Sequence, residues 1–212
     1  YQHGYLLAEE IAAYLAKLAQ LASGKDPAAG WAAVRTLADA TMLRGFSEEL
    51  LTEMRGIADG AAAGGAKFEG RAIDFLDVVT LNSSIDVDYL KSGLATLPHA
   101  LTGRSFLTAE EELAIPDGSH KCSALAATGP ATADGRVVFG QIFMWSGYTG
   151  VHFNVLLDLV PTAGERVVFQ TFPGGIHSGT AFYMNGAGLV VGETTVAQPP
   201  WHPAGAPMRD RI

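Results

Sequence analysis

The chain has 212 residues, with 14 Lys and Arg against 22 Asp and Glu, a formal charge of −8. Apolar residues make up 48% and charged residues 17%, which excludes a disordered chain and suffices for one domain, or two small ones, with a real core. An acidic balance gives nothing to exchange for the counterions of a phosphate backbone, so nucleic acid is not an expected partner.

In chain order, Leu6, Leu7, Ile11, Tyr14, Leu15, Leu18 and Leu21 fall at helical spacing, and Ser23-Gly24 ends the stripe. A second helix is predicted from about Trp31 to Leu43. A third starts at Ser47, with Glu48 and Glu49 in its first turn and Leu50, Leu51, Met54 and Ile57 on its buried face. Ala61–Gly65 reads as a break, and Asp74, Phe75, Val78, Val79 and Leu81 predict a helix running up to Asn82-Ser83-Ser84. Residues 98–121, with Pro98, Gly103, Pro116 and Gly118, read as a loop-rich linker in which Glu110–Glu112 form a solvated face. The pattern then turns to strands: Cys122–Thr128, Arg136–Trp145, Val151–Val160, Glu165–Phe172, Ala181–Met184 and Leu189–Val196, joined by turns at Ala133–Gly135, Pro161–Gly164 and Asn185–Gly188. Helices first and an antiparallel meander second predict an α+β fold, with a helical leader at 1–121 and a sheet-forming part at 122–212. No run of about 18 uncharged apolar residues predicts a transmembrane helix. The first residues lack an initiator Met and a signal-type pattern, and the last stop without a cap, so the sequence reads as part of a longer chain with its compartment open.

Cys122 is the one cysteine, which leaves an inert buried thiol, an intermolecular bridge or a reactive group. Its place at the first residue of a strand, behind a Gly/Pro loop, allows a cut before it. The freed α-amino group, with a reference pKa near 8, then serves as the base that takes the thiol proton. Phe143 and Trp145 share a strand face and read as core or as the wall of an acyl pocket. Gln141 shares that face as a buried amide needing partners. Asn185 reads as a turn residue or as the element that places Glu193, Thr194 and Thr195 near the thiol, where the Thr hydroxyls would donate to an oxyanion or simply favour a strand. His152 and His177 read as structural histidines, with His177 also a candidate supporting residue, and His120 as a loop histidine beside the cut. The six histidines lack metal-ligand spacing, and no phosphate loop or Gly-x-Ser-x-Gly elbow occurs, so no metal or other cofactor is expected.

Several pieces resemble a known group. His3-Gly4, Gly56-Ile-Ala-Asp-Gly60, Asp74…Leu81-Asn82, Cys122-Ser-Ala-Leu125, Gly140-Gln141 through Trp145, Phe172-Pro-Gly174, Ile176, Ser178-Gly179, Asn185, Gly188-Leu189 and Glu193-Thr-Thr195 together resemble the N-terminal-nucleophile hydrolases of the acyl-coenzyme A:6-aminopenicillanate acyltransferase group (peptidase family C45), and especially the phospholipase B-like proteins. The resemblance implies an αββα sandwich made as a precursor that cuts itself between Lys121 and Cys122, the leader staying bound to the catalytic chain. It further implies an acyl hydrolase or acyltransferase acting on a small amide or lipid-like ester, with Cys122 as nucleophile and Asn185 and Thr195 at the catalytic site. A secreted, periplasmic or lysosome-like location would follow. The acyltransferase branch carries an Asn and an acidic residue where this chain has Ile142 and Met144, whereas the phospholipase B-like branch also lacks the acid. The competing expectation is a binding or structural protein that keeps the fold without turnover. A papain-like pairing of Cys122 with His177 suits neither the spacing nor the β setting.

Overall fold

The computed structural model describes residues 1–102 and 122–194, the side chains of 91–102 excepted. It is a mixed α+β structure of helices and small antiparallel sheets, divided into two compact units. The first holds the helices and also the short segment Pro173–Ile176; the second holds the remaining strands from Cys122 onward.

In the helical unit, α1 (Gln2–Leu6) and α2 (Ala8–Ala22) divide the single stripe read from the sequence, because Leu7 leaves helical geometry at φ −114°, ψ 27°. Ile11, Tyr14 and Leu15 of α2 are buried, while Leu6 of α1 and Leu21 in the last turn of α2 face solvent. Asp26 caps α3 (Pro27–Leu37) by accepting from the Ala29 amide, with Pro27 at the first helical position. A π turn at Ala38–Met42 and a 3₁₀ turn at Leu43–Gly45 carry the chain on to Ser47, which caps α4 (Glu48–Ala63) as the sequence predicts. α1 lies against α4 with almost no side-chain space: a Cβ on Gly4 would stand 1.9 Å from the Ile57 carbonyl oxygen, and one on Gly60 2.1 Å from that of Tyr1. The Gly-x-x-x-Gly spacing of Gly56, Gly60 and Gly64 is therefore a helix-packing stripe.

A two-residue hairpin, β1 (Lys67–Phe68) with β2 (Arg71–Ala72), leads to α5 (Phe75–Thr102). Asp74 and Asp77 form a reciprocal capping box, each carboxylate accepting the other's backbone N–H at 3.0 Å. Asp77 is fully buried and also accepts from Trp31 Nε1 at 2.8 Å, from both terminal nitrogens of Arg71 at 2.6 and 2.8 Å, and from Arg35. Burial pushes its pKa up, but the hydrogen bonds from Arg71, Trp31 and the Asp74 amide, with the charge of Arg35, outweigh that and hold it below the usual carboxylate range.

α5 extends well past the expected end at Ser84 and into the segment read as a linker from 98. Asn82, Ser83 and Ser84 look like terminators, yet each bonds back to a carbonyl of the preceding turn, at Val78, Val79 and Leu81 respectively. With their polar atoms satisfied inside the helix, they need no break. The remainder of the expected linker, including Glu110–Glu112, lies outside the described residues.

Asn82 also reaches across the unit. Its Nδ2 donates to the Gly174 carbonyl at 2.9 Å and its Oδ1 accepts from the Ile176 amide at 3.0 Å. The Gly174 amide donates to His3 Nε2 at 2.9 Å, which requires that nitrogen to be unprotonated. Burial lowers the His3 pKa from 6.5 to about 4.

In the sheet unit, β3 (Cys122–Gly129) pairs antiparallel with β4 (Gly135–Phe143) as a separate hairpin. β5 (Val155–Leu159), β6 (Val167–Thr171), β7 (Phe182–Asn185) and β8 (Val190–Gly192) form a four-stranded antiparallel sheet in that order. The expected strand from Val151 starts only at Val155, because Ser146 caps a single helical turn at Gly147–Gly150 and the chain turns again through Val151–His152. Thr171 and Phe169 are fully buried on one face of the larger sheet, with Phe169 against Tyr183 at 5.1 Å between ring centres. Among the described residues no helix is long and apolar enough to cross a membrane.

Two outcomes follow. Asp77→Ala leaves Trp31 and two arginines facing a buried void, so unfolding free energy should fall by about 3–5 kcal/mol and the melting temperature by about 10 °C or more in circular dichroism. The His3 pKa is lower folded than unfolded. As pH drops from 6.5 toward 4, the unfolded chain therefore takes up a proton that the fold refuses, and stability falls by at most about 3 kcal/mol before levelling. Denaturant midpoints between pH 7 and 4.5 should show this loss in wild type and a smaller one in His3→Gln, which keeps an acceptor but does not titrate.

Candidate functional site

The β3–β4 hairpin decides which side chains meet. Gly129 and Gly135 adopt left-handed φ of 58° and 74°, and the Thr132 hydroxyl bonds the Gly129 and Arg136 carbonyls across the turn. The resulting register sets Cys122 opposite Phe143, Ala124 opposite Gln141 and Ala126 opposite Phe139. Directly opposed residues of an antiparallel pair share a face. Cys122 therefore lies on the face of Phe139, Gln141 and Phe143, one diagonal step from Gln141. Leu125, Val138 and Ile142 occupy the other face and are more than half exposed.

Val137, Phe139, Gln141, Phe143 and Trp145 form one wall of a cleft of about 820 Å³. Gln170, Thr180, Phe182, Met184 and Val190 line it from the four-stranded sheet and its loops, and Phe153 closes one side. The aromatic side is continuous: Trp145 stacks on Phe143 at 5.3 Å, and Phe153 lies within 5.8 Å of Phe143 and 5.7 Å of Phe172. Trp145 donates its indole N–H to the Thr149 hydroxyl at 2.9 Å. The volume matches that of small-molecule sites, and none of the described lining residues is charged.

Gln141 ties the hairpin to the larger sheet by donating from Nε2 to the Glu193 carbonyl at 2.8 Å. The two sheets approach closely there, since a Cβ on Gly192 would stand 2.4 Å from the Phe139 ring and 2.7 Å from Gln141 Oε1.

The other sequence candidates are placed as follows. Asn185 Oδ1 accepts from the Leu189 amide at 2.9 Å, so its side chain closes the β7–β8 turn. His177 is buried, with Nδ1 3.0 Å from the Ser178 carbonyl and its ring edge-on to Phe172. Glu193 is exposed and contributes its carbonyl to Gln141 and its amide to the Ala181 carbonyl; Thr194 is exposed. His120, Lys121 and Thr195 lie outside the described residues. Cys122 is partly buried and free of any disulfide. Cys122 and Gln141 thus share a face of the hairpin, with Trp145 stacked on Phe143 just past the end of β4, and Asn185 and His177 are engaged elsewhere. Thr180, in the cleft, carried no signal in the sequence, since it belongs to a loop whose place depends on pairing over long range.

The chain is 30% identical over 145 residues to an uncharacterized protein of Archaeoglobus fulgidus, an alignment covering 68% of this chain and 21% of that protein. The chain thus spans about a fifth of the length of this relative. No family model matches the chain, and no solved structure matches it.

The close approach at Gly192 makes a testable point. Gly192→Ala forces Phe139 and Gln141 off their positions, an overpacking that should cost about 1–3 kcal/mol in urea unfolding with an unchanged m-value.

Proposed function

We propose that this chain is part of a self-processing N-terminal-nucleophile hydrolase of the αββα type, in which the Cys122 thiol attacks the carbonyl of an amide or ester. The observation that carries the reading is the position of Cys122: the first residue of β3, on the face that Phe139, Gln141 and Phe143 turn to the cleft. The facing of a hairpin and a four-stranded antiparallel sheet across an apolar cleft supports the sandwich, and the resemblance of the sequence to the phospholipase B-like and acyltransferase proteins supports the chemistry.

Cleavage of the Lys121–Cys122 bond frees the α-amino group of Cys122. That amine takes the thiol proton, and Sγ bonds to the acyl carbon. The bond to the leaving amine or alcohol breaks as the ammonium returns the proton to it, leaving a thioester on Cys122. Water, giving its proton to the same amine, then attacks the thioester and releases the acid and the thiol. A hydroxyl from Thr194 or Thr195 would donate to the oxyanion, while Glu193 holds Gln141 through its carbonyl and Asn185 sets the turn that brings this stretch back. Trp145 and Phe143 hold the acyl group by apolar contact. The leader stays attached after the cut: Gly174 and Ile176, downstream of Cys122, are bonded to Asn82 and His3, upstream of it.

In the full-length protein, denaturing mass analysis should show two pieces divided before Cys122, and an intact chain in Cys122→Ala. The pieces should co-elute on gel filtration in plain buffer. With a panel of N-acyl amides and lipid esters, thiol alkylation should abolish turnover, and an acyl adduct should map to Cys122. An uncut wild type, or alkylated protein that works as fast as untreated protein, overturns the reading.

A further inference from the structure

β3 and β4 are the longest of the described strands, yet none of their residues is buried. Their only charged residue is Arg136, next to the turn. A two-stranded hairpin is marginal by itself, and an antiparallel sheet that meets water on one side carries polar side chains there in alternation. This hairpin does not alternate. Its outer face, opposite to that of Cys122, is set by the register as three pairs: Ser123 with Ile142, Leu125 with Gly140 and Ala127 with Val138. Leu125, Val138 and Ile142 are each more than half exposed. Between them the small residues leave a shallow channel, and a Cβ on Gly140 would meet nothing within 4 Å. Bulky apolar groups beside such a channel form a relief that a second apolar element can fill, and in water they forfeit that burial.

We propose that this outer face seats a segment of the full-length polypeptide from outside residues 1–212, whose apolar stripe fills the channel over Gly140 between Leu125, Val138 and Ile142. Length argues for the same polypeptide as the source. The Archaeoglobus fulgidus relative is about five times as long as the region it shares with this chain, so a protein of that kind has ample further chain to lay here. Chemistry argues the same way. The six paired residues carry no charge with which to engage an acidic or basic partner. Shape and apolar contact must then carry the recognition, as they do in the interior of one folded chain. The proposal does not depend on the hydrolase reading, since the Cys122 thiol lies on the other face.

The test places the photo-crosslinking residue p-benzoylphenylalanine at position 125 of the full-length protein, and in a second preparation at position 133, in the exposed turn. After irradiation and digestion, mass spectrometry should join position 125 to a peptide from outside residues 1–212, with no species of twice the protein's mass. No adduct at 125, an adduct confined to residues 1–212, a crosslinked dimer, or an equal yield at 133 each overturns the proposal. Ile142→Lys in the same protein should lower the thermal midpoint by about 3 °C or more, because a charge is set against an apolar cover. That loss should be the same across a hundredfold range of protein concentration, which a face shared by two copies would not give. A change within about 1 °C marks a solvated position and sinks the idea. Should Ile142→Lys fail to accumulate, the crosslink decides alone. The same digests show whether the chain is cut before Cys122, so failure of the hydrolase reading is seen separately.

Discussion

The buried carboxylate of Asp77 is the interaction on which the helical unit depends. It receives donors from α3, through Trp31 and Arg35, from the β1–β2 hairpin, through Arg71, and from the backbone at its own helix start. A carboxylate taken out of water at such cost is tolerable only when every lone pair is used, which is why three segments must arrive at one point together. Asp74, half exposed beside it, balances the second arginine, so the cluster is two positive charges against two negative ones. The cluster fixes where α5 begins. Five residues along the same helix, Asn82 then stands where its amide can hold Gly174 and Ile176. The chain thus leaves β6, passes through a segment that belongs to the helical unit, and returns to β7.

The sheet unit follows a different economy. Its hairpin has one face turned to the cleft and the other, carrying Leu125, Val138 and Ile142, uncovered among the described residues. On the cleft face nearly every polar group is spent on structure: Trp145 on Thr149, Gln141 Nε2 on Glu193, Gln170 on the Phe153 carbonyl.

Local signals were legible in the sequence where local physics decides. The cap at Ser47, the alternation through Gly140–Trp145 and the turn at Asn185–Gly188 all need only neighbours. Cys122 as the first residue of a strand was readable for the same reason. The end of α5 was not, because Asn82, Ser83 and Ser84 satisfy themselves against the preceding turn and so behave as buried helix residues. The expected strand at Val151 failed because the Ser146 cap outweighs the β preference of Val151. Nor does periodicity show that Asn82 meets a segment 92 residues away. The hydrogen bonds join two of the stretches quoted for the resemblance, Asp74…Asn82 and Phe172…Ile176.

Strand parity bears on the departure at Ile142 and Met144. The acyltransferase branch that the sequence resembles carries an Asn and an acid at these positions. In this chain Ile142 pairs with Ser123 and lies on the hairpin face opposite to that of Cys122 and Gln141; Met144 shares its parity and is 44% exposed. Neither residue belongs to the described cleft lining, where Gln141 is the amide one diagonal step from Cys122. On the hydrolase reading proposed above, the α-amino group of Cys122 would itself take the thiol proton, with no acid at these two positions to orient it. Positioning of the acyl carbonyl over the thiol by the cleft walls would then have to supply what base strength does not.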